Sequence, residues 1–244
     1  MDSKKDNEFV WVCMVPVSLC VIIIGICGNL LSIFIWKRVM RSNKRRNQST
    51  SMYLIALAYC NIGYLVLFLL VETLPVASEY IRDTYFFNAF FSWFGYPCIS
   101  MFFIATVSLV LVLTLNRWLF LMYPVRSGRL YTDNTTIFTI AITVCFSFLF
   151  SLPQFLTYHP YPREVKNVAA YESQLTKYGK SQAAVEFRMW CHFIFLTILP
   201  WILIALLDFL IIKTYKDRNM NLQSLVGKQA IFPMMEFFFA PLNF

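Results

Sequence analysis

Five long apolar runs limit what this chain can fold into. They cover residues 10–36, 52–74, 86–116, 136–158 and 190–212. Each could cross a bilayer, which takes about 20 predominantly apolar residues. A backbone in lipid must satisfy its own hydrogen bonds, so runs without strand alternation are expected to be helices. The first run is too long for a signal-peptide core and lacks a small-residue cleavage site, so we expect it to be retained. The sequence predicts an all-α membrane protein, a transmembrane helical bundle over residues 10–216.

The distribution of charge predicts how the bundle is oriented. Only 14% of the residues are charged, and the net charge is +8. Basic residues concentrate between the first two runs, after the third and after the fifth. These loops lie on one side, which the positive-inside rule makes cytoplasmic. We therefore expect an extracellular N-terminus at residues 1–9, a plasma-membrane location, and a cytoplasmic tail or incomplete third intracellular loop at 217–244. The same distribution argues against nucleic-acid binding.

The chain carries no signature of catalysis or of metal binding. A Gly-rich phosphate loop, a His-Glu-x-x-His motif and a nucleophile elbow are all missing from the sequence. No pair of cysteines has the spacing of metal ligands, and we expect no enzyme activity, metal or cofactor. Cys98 and Cys191 fall in the outer halves of their runs, so the sequence leaves open a disulfide between them. The outer segment Pro160–Met189 is polar, and we expect a hairpin or a short helix there after a proline-rich helix stop at 158–162.

Four short motifs stand at consistent places in the apolar runs. The third run closes on Asn116-Arg117-Trp118, with Pro124 soon after; the first contains Gly28-Asn29, the second Leu57-Ala58-Tyr59-Cys60-Asn61, and the fifth Pro200. Together they resemble rhodopsin-like (class A) G-protein-coupled receptors over about residues 25–215. Within that superfamily, the aromatic-rich first outer loop and the segment Tyr123-Pro124-Val125-Arg126 most resemble invertebrate peptide receptors, especially nematode FMRFamide-type receptors. The resemblance implies five helices of the seven-helix receptor fold.

The resemblance also implies roles for particular residues. Arg117, Trp118 and Pro124 would contact a heterotrimeric G protein, a role for Arg117 that Pro124 favours; the alternative is an interfacial arginine that reaches to lipid phosphates. Asn29 and Asn61 would face each other across the first two helices, where polar side chains link transmembrane helices. An extracellular ligand, expected to be a peptide, would bind in the outer half of the bundle. The sequence does not identify this ligand, so the receptor is an orphan.

Several positions depart from the family pattern. Asn116 replaces the usual acid beside Arg117, and Asn61 replaces the aspartate that helps to bind sodium. The family's cysteine at the top of helix three falls near Ser92, so we expect its usual disulfide to be missing. The motifs Cys-Trp-x-Pro and Asn-Pro-x-x-Tyr of helices six and seven do not occur. We therefore expect a C-terminally truncated receptor with little signalling of its own. The alternative is a non-signalling multi-pass membrane protein, either a dominant-negative partner in a receptor oligomer or a transporter subunit.

Single polar and aromatic side chains suggest where a site lies. Asp208 is inside the fifth run, and we predict that it replaces the missing partner of Arg117; pairing with Lys213 is the alternative. Glu72, near the outer end of the second run, would receive a basic group of a ligand, unless it is a solvated charge at a helix end. The remaining pocket candidates are Trp93, Tyr96 and His192, which would equally fit the aromatic belt of a membrane interface.

Overall fold

The computed structural model describes residues 2–42, 48–123, 132–165 and 168–226. Five long helices account for most of this part of the chain. They are α1 (Asp2–Ser42), α2 (Gln48–Ala77), α3 (Tyr85–Met122), α4 (Asp133–Leu156) and α5 (182–226). A short helix, Glu79–Arg82, joins α2 to α3, and two antiparallel strands, β1 (Tyr158–Val165) and β2 (Val168–Leu175), join α4 to α5.

These elements confirm the predicted helical membrane fold. Within the described residues, four helices are long and apolar enough to cross a membrane: Val15–Arg41, Gln48–Ala77, Tyr85–Met122 and Asp133–Leu156. They contain most of the first four predicted runs, and the fifth run lies inside α5. The outer segment after α4 forms the hairpin, which was one of the two expected alternatives. The helix stop also lies where the prolines predict it, because α4 ends at Leu156 and β1 begins at Tyr158. The chain is a multi-pass membrane protein.

Helix α3 is the centre of the bundle. It packs against α2, α4 and α5, whereas α1 packs mainly against α2. A buried cluster between α2 and α3 is formed by Tyr53, Cys60, Ala105, Leu109 and Leu113. The outward faces of the helices expose many large apolar side chains, as expected for surfaces that contact lipid.

Small residues let the helices approach each other closely. A Cβ atom on Gly63 of α2 would lie 2.6 Å from Cε1 of Phe102 on α3, so the absence of a side chain makes room for that ring. Such small residues are typical of transmembrane helix contacts. Several buried residues of α4 are also small, and their hydroxyls bond to carbonyls one turn earlier in the same helix. This hydroxyl ladder consists of the half-buried Thr139 and the buried Thr143, Ser147 and Ser151.

The hairpin lies at one end of the bundle, which we call the hairpin end. There α2 and α4 finish and α3 and α5 begin. Strand β2 contacts both β1 and the start of α3. Strand β1 contains Pro160 and Pro162, which have no N–H to donate and therefore suit an edge strand. The other end of the bundle, the opposite end, carries the start of α2, the end of α3 and the start of α4.

Candidate functional site

Three of the long helices widen into π-helix near the hairpin end. Within the described residues the π-helical segments are Leu69–Thr73 in α2, Phe91–Gly95 in α3 and Phe187–Ile198 in α5. Each segment ends two residues before a proline: Pro75, Pro97 and Pro200. π-Helical turns are rare and occur frequently at functional sites.

The prolines give a physical reason for these segments. A proline in a helix has no N–H to donate, and its ring crowds the carbonyl four residues earlier. Widening the preceding turn relieves that crowding, because the residue before the proline then bonds five residues back. The three bonds of this kind join Leu74 N to Leu69 O, Tyr96 N to Phe91 O, and Leu199 N to Ile194 O. The predicted pocket residues Glu72, Trp93 and His192 lie in these segments, and Tyr96 directly follows one.

Tyr96 is the point at which several parts of the chain meet. Its ring centroid lies 4.9 Å from that of Tyr158 on β1, edge-on, and 5.9 Å from that of Phe91. Phe91 and Tyr158 close the triangle at 5.5 Å, again edge-on. Edge-to-face pairs of this kind are favourable because ring edges are positive and ring faces negative. We call Phe91, Tyr96 and Tyr158 the aromatic triad.

Two opposite charges flank the aromatic triad. Glu72 of α2 and Arg188 of α5 both lie near enough to the Tyr96 hydroxyl to act on it electrostatically. Arg188 Nη2 donates to the carbonyl of Gly179 at 2.8 Å, and its Nη1 is buried without a hydrogen-bond partner in the described part of the chain. Glu72 is exposed, and no ion pair joins it to Arg188 among the described residues. Tyr96 is therefore influenced by an acid and a base that form no ion pair with each other in the described residues.

The other predicted pocket residues are placed less closely. Trp93 is 52% exposed, and its ring lies 6.3 Å from that of His159. The backbone of His192 is in the π-helical segment of α5, but its side chain lies outside the described residues. The thiol of Cys98 is free, and the side chain of Cys191, its suggested partner, is also outside the described part. Sequence reasoning missed Phe91, Tyr158 and Arg188, which become neighbours only through the fold of the hairpin.

Asn29 and Asn61 form a polar link through three helices. The Asn61 amide nitrogen donates to Asn29 Oδ1 at 3.1 Å, as the resemblance implies. Asn29 Nδ2 donates to the carbonyl of Gly25 at 2.7 Å, and Thr106 Oγ1 of α3 donates to Asn61 Oδ1 at 3.2 Å. The bond from Thr106 was not predicted, although a threonine within the third apolar run is a sequence signal for such a bond. The link joins α1, α2 and α3.

The opposite end presents the arginine of the third run. Arg117 is exposed and lies one turn before the end of α3 at Met122. The neighbouring Asn116 is 7% exposed, and its Oδ1 has no hydrogen-bond partner in the described residues. The indole nitrogen of Trp118 is likewise buried and unpartnered there. Pro124 lies outside the described residues.

The structure does not pair Arg117 with Asp208. Both side chains are exposed, and no ion pair involves either of them in the described part of the chain. The alternative partner, Lys213, forms none there either. Neither charge is therefore packed at the contact between α3 and α5. Instead, that contact ends in bonds to Met122, whose sulfur lies 3.6 Å from Thr214 Oγ1 and whose carbonyl accepts from Arg218 at 3.4 Å.

The five long helices and these positions are those expected for part of a seven-transmembrane receptor. The chain belongs to the family described as 7 transmembrane receptor (rhodopsin family), which matches residues 28–235. It is similar to the FMRFamide receptor of Drosophila melanogaster, with 28% identity over 230 residues, which are 88% of this chain and 39% of that protein. It is also similar to galanin receptor 2a of Danio rerio, with 25% identity over 140 residues, 57% of this chain and 36% of that one. The chain thus spans about two fifths of the length of these relatives. The predicted family is confirmed.

Proposed function

We propose that this chain is the peptide-binding part of a plasma-membrane receptor that passes the binding signal to a heterotrimeric G protein, and that it has no enzyme activity. The hairpin end and the N-terminus face outward in this proposal, because the basic loops mark the opposite end as cytoplasmic. Membership of the rhodopsin family and the likeness to an FMRFamide receptor support it. In this reading the ligand shifts a population between two states of the bundle rather than undergoing a reaction.

The meeting of three chain segments at Tyr96 carries the proposal. An acid from α2, an aromatic side chain from β1 and a base from α5 converge on one side chain of α3. Large apolar rings with a few placed polar groups are typical of ligand sites. The exposed carboxylate of Glu72 suits a basic group on the ligand, because charge-assisted hydrogen bonds are the stronger ones. FMRFamide, with one arginine between apolar residues, matches this combination, and Trp93 and His192 would complete the site.

Binding of FMRFamide to membranes that contain this chain tests the ligand half of the proposal. Replacing Glu72→Gln should weaken binding roughly tenfold, as expected when a hydrogen bond loses its charged partner. An analogue with citrulline in place of arginine should bind the parent weakly and should lose nothing further on Glu72→Gln. Glu79→Gln is the matched control, since Glu79 is an exposed acid at the same end that pairs with Arg82 at 3.6 Å. Equal losses for both variants would contradict a role for Glu72.

Nucleotide exchange on added G protein tests the coupling half. The exposed position of Arg117 near the end of α3 supports a contact with the G protein, in which Trp118 and Pro124 would take part. We expect Arg117→Ala to abolish any peptide-stimulated exchange while peptide affinity stays within about threefold, well under the factor of ten that 1.4 kcal/mol represents. Peptide binding without exchange in the parent chain would refute coupling by this chain and favour the non-signalling partner as its function.

A further inference from the structure

A buried asparagine joins the start of α3 to the hairpin. Asn88 is 4% exposed. Its Nδ2 lies within hydrogen-bond distance of three carbonyls, those of Arg82 at 2.7 Å, Thr84 at 3.0 Å and Tyr171 at 2.9 Å. Its Oδ1 accepts from the hydroxyl of Ser173 at 2.8 Å. One side chain thus bonds the loop before α3, the first turn of α3 and strand β2.

Neighbouring residues strengthen the same joint. Ser92, which is fully buried, donates to Ser173 at 3.2 Å. The backbone N–H of Tyr171 donates to the carbonyl of Asp83 at 2.9 Å, and the rings of Tyr171 and Tyr85 meet edge-on at 5.0 Å. All of these contacts are non-covalent. We call the hydrogen-bonded side chains Asn88, Ser92 and Ser173 the hairpin latch.

The register of the hairpin connects the latch to the aromatic triad. In β2, Tyr171, Ser173 and Leu175 alternate with residues of the other face, so they share one face of the sheet. Ser173 pairs with Pro160 and Leu175 pairs with Tyr158, which places Tyr158 on that face too. That face is the one that meets α3. Anchoring Ser173 therefore fixes Tyr158, one same-face position along the hairpin, against Tyr96.

We propose that Asn88 is a positioning residue for ligand binding, which holds the hairpin so that Tyr158 completes the aromatic triad. The ligand part of this inference rests on the proposed function, whereas the mechanical part does not. Asn88 does not line the triad and acts through β2. Without its amide, the carbonyls of Arg82 and Tyr171 lose their bonds to this side chain, and the hydroxyl of Ser173 loses its bond at 2.8 Å to Oδ1.

An engineered disulfide tests the mechanical part. The hydroxyl oxygens of Ser92 and Ser173 are 3.2 Å apart, so the sulfur atoms of cysteines at these two positions would lie near each other. In membranes of the Ser92→Cys/Ser173→Cys variant, we expect mild oxidation to join these positions, as identified by mass spectrometry of the linked peptides. Adding Asn88→Ala should slow cross-linking roughly tenfold, the scale expected for losing a buried hydrogen-bonding partner. Absence of the cross-link when Asn88 is intact, or an unchanged rate without it, would overturn the latch.

Rescue of peptide affinity tests the positioning role. FMRFamide should bind Asn88→Ala roughly tenfold more weakly than the parent, again on the scale of a lost buried partner. Once the 92–173 disulfide is formed in the same variant, affinity should return to the parent value, and reduction should remove the gain. Asn134→Ala, an exposed asparagine at the opposite end, is the control. If Asn88→Ala does not reach the membrane, Asn88→Asp keeps the acceptor for Ser173 and removes the donor.

The two proposals fail in different ways. A parent chain that cross-links as expected but does not bind the peptide refutes the proposed function and leaves the latch intact. An Asn88→Ala variant whose affinity stays low after the disulfide has formed refutes the positioning role, whatever the parent binds. An Asn88→Ala variant with parental affinity refutes it as well.

Discussion

The link between Asn29 and Asn61 makes a measurable prediction about stability. Asn61→Leu keeps roughly the volume of the side chain and removes both interhelical bonds that it forms, to Asn29 at 3.1 Å and from Thr106 at 3.2 Å. Asn29 would keep its bond to the carbonyl of Gly25 in its own helix, so α1 should remain intact. The change therefore removes side-chain bonds between α1, α2 and α3 without removing a bond within α1.

The size of the effect follows from the number of bonds lost. Interhelical hydrogen bonds in membranes contribute on average about 0.6 kcal/mol and at most about 1.7. Two such bonds give an expected loss of about 1–3 kcal/mol in the free energy of unfolding. For a chain of this length, roughly 2–4 °C of melting temperature corresponds to each kcal/mol. We expect Asn61→Leu to melt several degrees below the parent.

A double-mutant cycle tests this reasoning. Unfolding free energies of the parent, Asn29→Leu, Asn61→Leu and the double variant are measured in mixed micelles by titration with a denaturing detergent. Because the two residues share a bond, the double variant should lose less than the sum of the single losses. Coupling within the error of additivity, about 0.3–0.5 kcal/mol, would contradict a stabilising bond between Asn29 and Asn61.

Two threonines of α3 provide a matched pair of controls. Thr106→Val removes one bond to another helix and should destabilise by about 0.6 kcal/mol. Thr114→Val removes only a bond to Val110 of the same helix, at 2.9 Å, and should change the unfolding free energy far less. If the two variants lose equal amounts, the interhelical geometry is not what stabilises the bundle.

Three further substitutions have expected outcomes. Gly63→Ala should destabilise the protein by about 1–3 kcal/mol through overpacking, since its Cβ would lie 2.6 Å from Cε1 of the Phe102 ring. Thermal unfolding measures the loss. Phe102→Leu in the same chain should restore part of the stability, and no recovery would contradict the clash. Gly179→Ala places a Cβ against the carbonyl oxygen of Thr157, a backbone atom that cannot rotate away, so faster proteolysis of the hairpin is expected, and parental resistance would oppose this. Pro97→Ala restores an N–H and removes the ring that crowds the preceding turn, so amide exchange in that turn should slow as it returns to α-helix; unchanged exchange would show that the π-helical turn has another cause.

The long apolar runs predicted the helices well because lipid leaves the backbone few choices. The Asn29–Asn61 bond was also accessible, since both residues belong to recognisable motifs. The partners of Tyr96 could not be predicted from the sequence, because Tyr158 and Arg188 come near it only through the fold of the hairpin and the start of α5. The pairing of Arg117 with Asp208 was expected from their opposite charges. The two residues do not pair because the helix faces that carry them do not pack against each other. The π-helical segments had a visible signal in Pro75, Pro97 and Pro200, of which only Pro200 was used, and only as a family motif.

The hydroxyl ladder of α4 has a mechanical consequence. Thr143, Ser147 and Ser151 bond within their own helix, so these three hydroxyls add no directional bond to the contact between α3 and α4. A bond that does cross from α4 lies at the opposite end, where Thr136 donates to Ser49 of α2 at 2.9 Å. Helix α4 is thus bonded to α2 near its start, whereas Asn61 bonds α2 to both α1 and α3. If a ligand rotates the bundle, the hairpin end of α4 should therefore move further than the end that is bonded to α2.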